Sequence, residues 1–182
     1  MRKVRVSKGR TMRPTFFVFC EGESEEAYVK YLRSRFRLPI EVVTHVAGLS
    51  ITQEHIARYK RDKIVLDSDR DYLMYDLDRD DVLPRLEKIE GATIIASNPC
   101  LEIWYLLHCE DRRSEISSAE CLEKLLHHIP NYRKACLSRE LIEVLEAEGN
   151  KAANRADRLH SRGNPSTDIP RLISDLEEVG KK

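Results

Sequence analysis

Up to about residue 98, short apolar runs alternate along the chain with longer stretches that mix apolar and polar positions at helical spacing. Four runs have the length and composition of buried strands, at residues 16–20, 40–46, 72–75 and 92–96. Helices are predicted after Ser24, from Thr52 to about Lys60, and over residues 82–89. Strands that alternate with helices in this way favour βαβ units and a parallel sheet.

After residue 98 the pattern becomes entirely helical. Residues 101–108 are strongly apolar, and amphipathic stretches follow at residues 119–128, 139–160 and 170–179. Gly149 is a candidate break in the longest of them, a further short helix is expected after Tyr132, and residues 164–167 are expected to form a turn.

These patterns predict an α/β fold in three parts. Residues 1–13 are a basic N-terminal arm, and residues 14–98 are an α/β core with a parallel sheet of about four strands flanked by helices. Residues 99–182 are a helical C-terminal portion packed on that core.

Charge is balanced overall, with 31 basic and 31 acidic residues, so the global field predicts no polyanionic partner. The arm differs, because it contains no acid. Its basic residues are Arg2, Lys3, Arg5, Lys8, Arg10 and Arg13. Such a segment is a candidate nucleic-acid contact, since lysine and arginine bind phosphates with release of counterions. The alternative is a solvated terminus.

No apolar run reaches the roughly 18–20 residues that a membrane helix needs, and the arm lacks the apolar segment of a secretory leader. These features predict a cytoplasmic protein that does not associate with membranes. The five cysteines form no CxxC pair, which favours reduced thiols over disulfides or a zinc site.

Acidic residues follow two of the predicted strands at the point where each strand ends. Glu21 comes directly after the first apolar run, and Asp76 and Asp78 come at the end of the third. The carboxyl ends of parallel strands meet at one crevice, where α/β proteins bind ligands. Strand alternation puts Asp76 and Asp78 on the same side, and Mg²⁺ takes oxygen ligands of this kind. The alternative is that these acids are turn residues or helix caps.

Glu102 follows the fourth strand and is expected to face the same crevice. Asn98 is expected to cap a helix that begins at Pro99, so that Glu102 lies one turn into an apolar helix. A capping or salt-bridge role for Glu102 stays open at this point. Glu25 is assigned to the first turn of the helix after Ser24, where acids complement the helix dipole.

A competing acidic cluster lies just before the third strand. The spacing of Asp67, Asp69 and Asp71 imitates the start of a calcium-binding EF-hand loop, but Tyr72 stands where that loop needs glycine. The cluster is therefore interpreted as a solvated loop.

Taken together, these segments resemble the RloB-like proteins, and through them the Toprim fold of topoisomerases, primases and OLD-type nucleases. The resemblance runs in order from about residue 14 to residue 179. Its most specific part is the Asn-Pro-Cys-x-Glu-x-Trp block at residues 98–104, and the other segments are residues 18–25, 75–81, 152–156 and 164–167.

The resemblance implies a Toprim-like core in which Glu21 is a candidate general acid or base and Asp76 and Asp78 bind the metal ion. Glu102 is a possible further catalytic acid. It implies a nuclease that depends on Mg²⁺ (or Mn²⁺) and cuts DNA or RNA, with a role in abortive infection or other anti-phage defence, and an ATPase as a possible partner. The alternative is a non-catalytic binding or regulatory partner of a defence ATPase, which the sparse basic surface outside the arm favours.

Overall fold

The structure is a computed structural model that describes residues 13–43 and 50–181. Within these ranges the chain forms five strands and seven helices. The strands are β1 (Phe16–Cys20), β2 (Ile40–Val43), β3 (Arg70–Asp76), β4 (Ala92–Asn98) and β5 (Ser166–Thr167). The helices are α1 (Glu23–Phe36), α2 (Gln53–Lys60), α3 (Val82–Leu86), α4 (Glu102–Cys109), α5 (Ser118–His128), α6 (Arg139–Ala156) and α7 (Ile169–Gly180).

The strands form one sheet in the order β2-β1-β3-β4-β5. The first four run parallel, with β1 paired to both β2 and β3, and β5 is antiparallel to β4. The predicted α/β class and its parallel sheet are therefore confirmed. The predicted end of the second strand, residues 44–46, lies outside the described residues.

β1 is buried on both faces, which explains why its sequence is one continuous apolar run. On one face Phe16, Val18 and Cys20 join a core cluster with residues of α1, α4, α6 and α7. On the other face Phe17 and Phe19 pack into a second cluster with residues of α2 and α3. The sheet therefore lies between two layers of helices, and polar side chains gather where the parallel strands end.

Several predicted boundaries in the second half of the chain are wrong. Residues 164–167 were expected to be a turn, but they include β5, whose two residues are too few to show a strand pattern. Asn98 does not cap a helix, because it is the last residue of β4 and pairs with Ser166. The Asn98–Pro99 peptide bond is cis, and α4 begins only at Glu102.

Two further predictions about helices also differ from the structure. α6 runs unbroken through Gly149, although it ends at Ala156 and not at residue 160. The segment after Tyr132 forms no helix in the described residues. It is a tight turn with an isolated bridge between Arg133 and Cys136, and Ala135 takes a positive φ of 57°.

The interpretation of the Asp67–Asp69–Asp71 cluster as a solvated loop is wrong for two of its members. Asp69 accepts hydrogen bonds from the backbone amides of Thr15 at 2.7 Å and Leu66 at 2.9 Å, and so ties the start of β1 to the loop before β3. Asp71 lies in β3 and forms an ion pair with Lys60 at 2.8 Å. Only Asp67 is an exposed loop acid.

No helix among the described residues is long and apolar enough to cross a bilayer.

Asp69→Ala is expected to lower the free energy of unfolding by about 1–3 kcal/mol, because two backbone amides lose their carboxylate acceptor. Asp67→Ala removes the exposed acid of the same loop, serves as the matched control, and is expected to change stability by less than about 0.5 kcal/mol. Urea denaturation measures both values. Equal destabilisation by the two variants would contradict the role given to Asp69.

Candidate acidic site

Five carboxylates border one cavity of about 400 Å³ where β1 and β3 end, and all of them except the exposed Glu23 are buried or half-buried. Glu21 follows β1 and Asp76 ends β3, while Glu25 and Glu102 lie in the first turns of α1 and α4. β1 and β3 are adjacent and parallel, so both chains leave the sheet at the same edge. The sequence prediction that Glu21, Asp76 and Glu102 lie near one another agrees with this geometry.

Glu21 and Asp76 are joined directly through the backbone. The amide of Glu21 donates to the carbonyl of Met74 at 3.0 Å, which continues the β1–β3 ladder by one step. The amide of Asp76 donates in turn to Oε2 of Glu21 at 2.9 Å. Glu21 is therefore a fixed carboxylate, and its other oxygen, Oε1, has no hydrogen-bond partner among the described residues.

Burial and repulsion raise the pKa of these acids. Burial is the main cause for Glu21, the hydrogen bond from the Asp76 amide opposes it, and the charge of Asp78 adds to it. The pKa of Asp76 rises from its ordinary value of 3.8 to about 10, first through burial and then through Glu25, the Cys100 thiol and the other acids of the cavity. A carboxylate in such a position needs a proton or a cation beside it.

Asp78 lies apart from the other predicted acids. Its side chain is exposed and lines a neighbouring cleft of about 740 Å³ together with Asp80, Asn98 and Glu115. β3 ends at Asp76, so the strand alternation used in the prediction does not extend as far as Asp78. The charge of Asp78 still contributes to the raised pKa of Glu21.

Glu25 is a member of the site that the sequence analysis assigned only to the helix dipole. It is 5% exposed, its Oε2 accepts from the amide of Gly22 at 3.0 Å, and burial raises its pKa. The sequence did contain one indication of this position, which is the spacing of a capping box. In that motif the side chain of the third residue after the N-cap folds back over the start of the helix. That geometry directs Glu25 towards the end of β1.

Glu102 is held by the turn that follows α5. The hydroxyl of Tyr132 donates to Oε1 of Glu102 at 2.8 Å, and Nζ of Lys134 lies 3.8 Å from the same oxygen. Glu102 is 2% exposed, and Lys134 is the one basic residue among those that border this cavity. No local pattern links residues 132–134 to Glu102, which is why the sequence analysis missed them.

Most of the predicted nucleic-acid arm lies outside the described residues. Those residues are Arg2, Lys3, Arg5, Lys8 and Arg10. Arg13 is described and is exposed, and it precedes β1 at the amino edge of the sheet. The five residues of β1 span about 17 Å, so Arg13 and Glu21 lie at opposite edges.

The carboxylates of this cavity are suitable ligands for Mg²⁺, because this ion binds carboxylate oxygens together with waters and substrate phosphates. In residues 13–43 and 50–181, no three His, Cys, Asp or Glu side chains are already arranged to hold a metal ion. The fit rests on the crowding of Glu21, Glu25, Asp76 and Glu102 around one cavity that a single lysine borders. A cation would offset both the burial and the repulsion that raise the pKa of Asp76.

Comparison with models of protein families matches residues 16–176 to the family described as RloB-like protein. The matched range includes the five carboxylates of the cavity, Asp78 and the turn that holds Glu102. Searches of the curated proteins and of the solved structures found no match.

Asp76→Asn is expected to reduce the pH dependence of stability in the metal-free protein. The folded protein retains a proton on Asp76 between the ordinary pKa of 3.8 and about 10, whereas the unfolded chain does not. The stability that this proton contributes is complete below about pH 4 and is lost as the pH rises towards 10, at no more than about 1.4 kcal/mol per pH unit. The variant has no carboxyl group at this position, so it does not lose this part of its stability as the pH rises.

Urea unfolding in the presence of a chelator, repeated from mildly acidic to mildly alkaline pH, measures this slope. Asp67→Asn, at an exposed acid outside the site, is the matched control and should keep the slope of the parent protein. An unchanged slope in Asp76→Asn would show that Asp76 does not hold the extra proton.

Proposed function

The chain belongs to the RloB-like family, and from this premise we propose that it is a nuclease with a Toprim-like site that hydrolyses phosphodiester bonds in DNA or RNA. The observation that carries the proposal is the convergence of Glu21, Asp76 and Glu102 on one cavity where the parallel strands end. Anti-phage defence, as in abortive infection, is the biological role that the family resemblance implies. A cytoplasmic location fits its free cysteines.

Glu21, Asp76 and Asp78 would hold Mg²⁺ or Mn²⁺ in this proposal. A divalent ion bound there supplies Lewis-acid chemistry, which activates water and stabilises the oxygen that leaves phosphorus. Two of the three ligands lie at the same end of neighbouring strands, and Asp78 approaches from the adjacent cleft.

Glu21 has the features of a general acid or base. Its Oε2 is fixed by the Asp76 amide, its Oε1 is free of protein partners among the described residues, and burial raises its pKa. A carboxylate with a raised pKa is a stronger base, which favours its taking a proton from water or from a substrate. Glu102 lies across the same cavity and is positioned by Tyr132.

Lys134 would contact the phosphate backbone of the substrate. It borders the cavity, and 61% of its side chain is exposed, so the ammonium group can reach a strand laid over the acids. The basic residues of the arm would add contacts further along the nucleic acid, since Arg13 lies at the opposite edge of the sheet.

Purified protein with Mg²⁺ or Mn²⁺ is expected to cut DNA or RNA, and a chelator is expected to stop the reaction. Asp76→Asn, Asp78→Asn and Glu21→Gln are each expected to lower the rate by at least about 100-fold, in the range that a positioned acid or base contributes. Asp67→Asn should cut at the parental rate. Gel assays with labelled single- and double-stranded DNA and RNA measure these rates.

Cleavage that persists when Glu21, Asp76 and Asp78 are all replaced would overturn the assignment of the site. Circular dichroism shows whether each variant is folded, and so distinguishes the loss of the site from the loss of the whole structure. If the parent protein is folded but shows no metal-dependent cleavage, that result instead favours the second candidate function.

That second candidate is a binding partner of a defence ATPase, and one surface feature favours it. Ile64 and Val65 are 80% and 44% exposed and are consecutive in the segment between α2 and β3. Exposed apolar surface can form part of a protein interface when it is contiguous.

Ile64→Ser combined with Val65→Ser is expected to abolish co-purification with the proposed ATPase partner, with no change in thermal stability. Asp67→Ser, in the same segment, is the control and should keep the complex. Co-purification that survives the double substitution would exclude this surface as the interface.

A further inference from the structure

Arg85 of α3 has two guanidinium nitrogens that lack an acceptor. Nε and Nη2 are both buried, and neither has a hydrogen-bond partner within residues 13–43 and 50–181. Nη1, the third nitrogen of the group, lies 3.4 Å from Oδ2 of the exposed Asp81. Buried donors are rarely left unpaired, and the cost is greatest when they belong to a charged group.

The two unpaired nitrogens form the side-on edge of the guanidinium. Their N–H bonds point the same way, in a fork that matches two oxygens of a carboxylate or a phosphate. In the nearby Arg79 the same fork is occupied, because its Nε lies 3.3 Å from Oδ1 of Asp81 and its Nη2 lies 3.5 Å from Oδ2. The fork of Arg85 is therefore unpaired, whereas that of Arg79 already holds a carboxylate.

α3 lies along the edge of the sheet where the parallel strands end. Its Val82 belongs to the same core cluster as Tyr75, the last residue but one of β3. Directly after the helix, Glu87 accepts from Nη1 of Arg162, and the carbonyl of Arg162 accepts from the side chain of Asn98, which ends β4. The helix is therefore anchored near the ends of both β3 and β4.

Glu21 begins on the same side of the sheet as α3. Side chains alternate along a strand, and the Glu21 amide continues the ladder of β1, so its side chain starts on the side of Phe17 and Phe19. That side is the one covered by α2 and α3. Burial raises the pKa of Glu21, and the charge of Arg85 is among those that oppose this rise.

We propose that Arg85 is a further catalytic residue of the acidic site and binds the phosphodiester group of the substrate through Nε and Nη2. This inference rests on the proposed function, which supplies the phosphate. The non-bridging oxygens accept from the fork, and a guanidinium held there stabilises the negative charge that they carry in the transition state.

The unpaired fork also favours the movement that binding requires. Both nitrogens are buried while the side chain as a whole is partly exposed, so the guanidinium has to turn towards the substrate. Unpaired donors destabilise the conformation without substrate, and pairing them with phosphate oxygens removes that cost. Only side-chain torsions of Arg85 need to change.

NMR spectra of the arginine Nε–H groups test the contact without a need for cleavage. The full chain, labelled with ¹⁵N, is titrated with short single- and double-stranded oligonucleotides of DNA and RNA, with Ca²⁺ in place of Mg²⁺. The resonance of Arg85, assigned by its absence from the spectrum of Arg85→Lys, is expected to shift until it saturates. The resonance of Arg79, assigned in the same way, is expected to shift less, because its fork stays on Asp81.

Cleavage rates test the role of the fork. Arg85→Lys keeps the charge and removes the fork, so kcat is expected to fall by about 10- to 100-fold while KM changes by no more than about threefold. Arg79→Lys is the matched control and is expected to cut within about threefold of the parental rate, because its fork already binds Asp81.

Arg85→Met separates catalysis from a structural role. It removes the unpaired donors and keeps an unbranched side chain, so the midpoint of urea unfolding is expected to stay unchanged or to rise. The same variant is expected to lose cleavage at least as severely as Arg85→Lys. An arginine that serves only the fold would instead give a lower midpoint in Arg85→Met, and that result would overturn the proposal.

The proposal is also overturned if oligonucleotides shift other resonances and leave that of Arg85 in place, or if Arg85→Lys cuts at the parental rate. A saturable shift of the Arg85 resonance in a protein that never cuts would support the phosphate contact and contradict the nuclease. If no resonance shifts with any oligonucleotide, the contact and the proposed function both fail.

Discussion

The parallel pairing of β1 with β3 is the interaction on which the rest of the molecule depends. All five residues of β1 are buried, and the ladder continues past Cys20 through the bond from the Glu21 amide to the Met74 carbonyl. That continuation brings Glu21 within hydrogen-bond distance of the Asp76 amide. Two carboxylates that repel each other are therefore held together by a backbone that is fixed by apolar burial on both faces of the sheet.

The acidic site draws its support from the whole chain. α1 contributes Glu25 through its capping box, and α4 contributes Glu102 at its first turn. The turn after α5 then supplies Tyr132 and Lys134 to the Glu102 carboxylate. Each group arrives from a different element, so the crowding of like charges is a property of the assembled fold and not of any one segment. Such crowding costs free energy, which the burial of apolar side chains elsewhere in the fold offsets.

The parts that could be predicted from sequence are those set by local pattern. The buried run of β1 and the acids directly after β1 and β3 follow from hydrophobic patterning and from the geometry of parallel sheets. β5 was missed because two residues carry no periodicity, and Asn98 was misplaced because its pairing partner lies 68 positions later in the chain. Tyr132 and Lys134 were missed for the same reason, since only the folded chain brings them to Glu102.

α4 has a consequence of its own, because Glu102 at its start borders the acidic cavity and His108 near its end borders a separate cavity of about 310 Å³ between α1, α4, α6 and α7. Glu102 begins it and His108 lies six residues later, so about 9 Å of helix separates the two groups. If a ligand in one cavity displaced α4, the affinity of the other cavity for its own ligand would change by some factor, and thermodynamic linkage makes that factor the same in both directions.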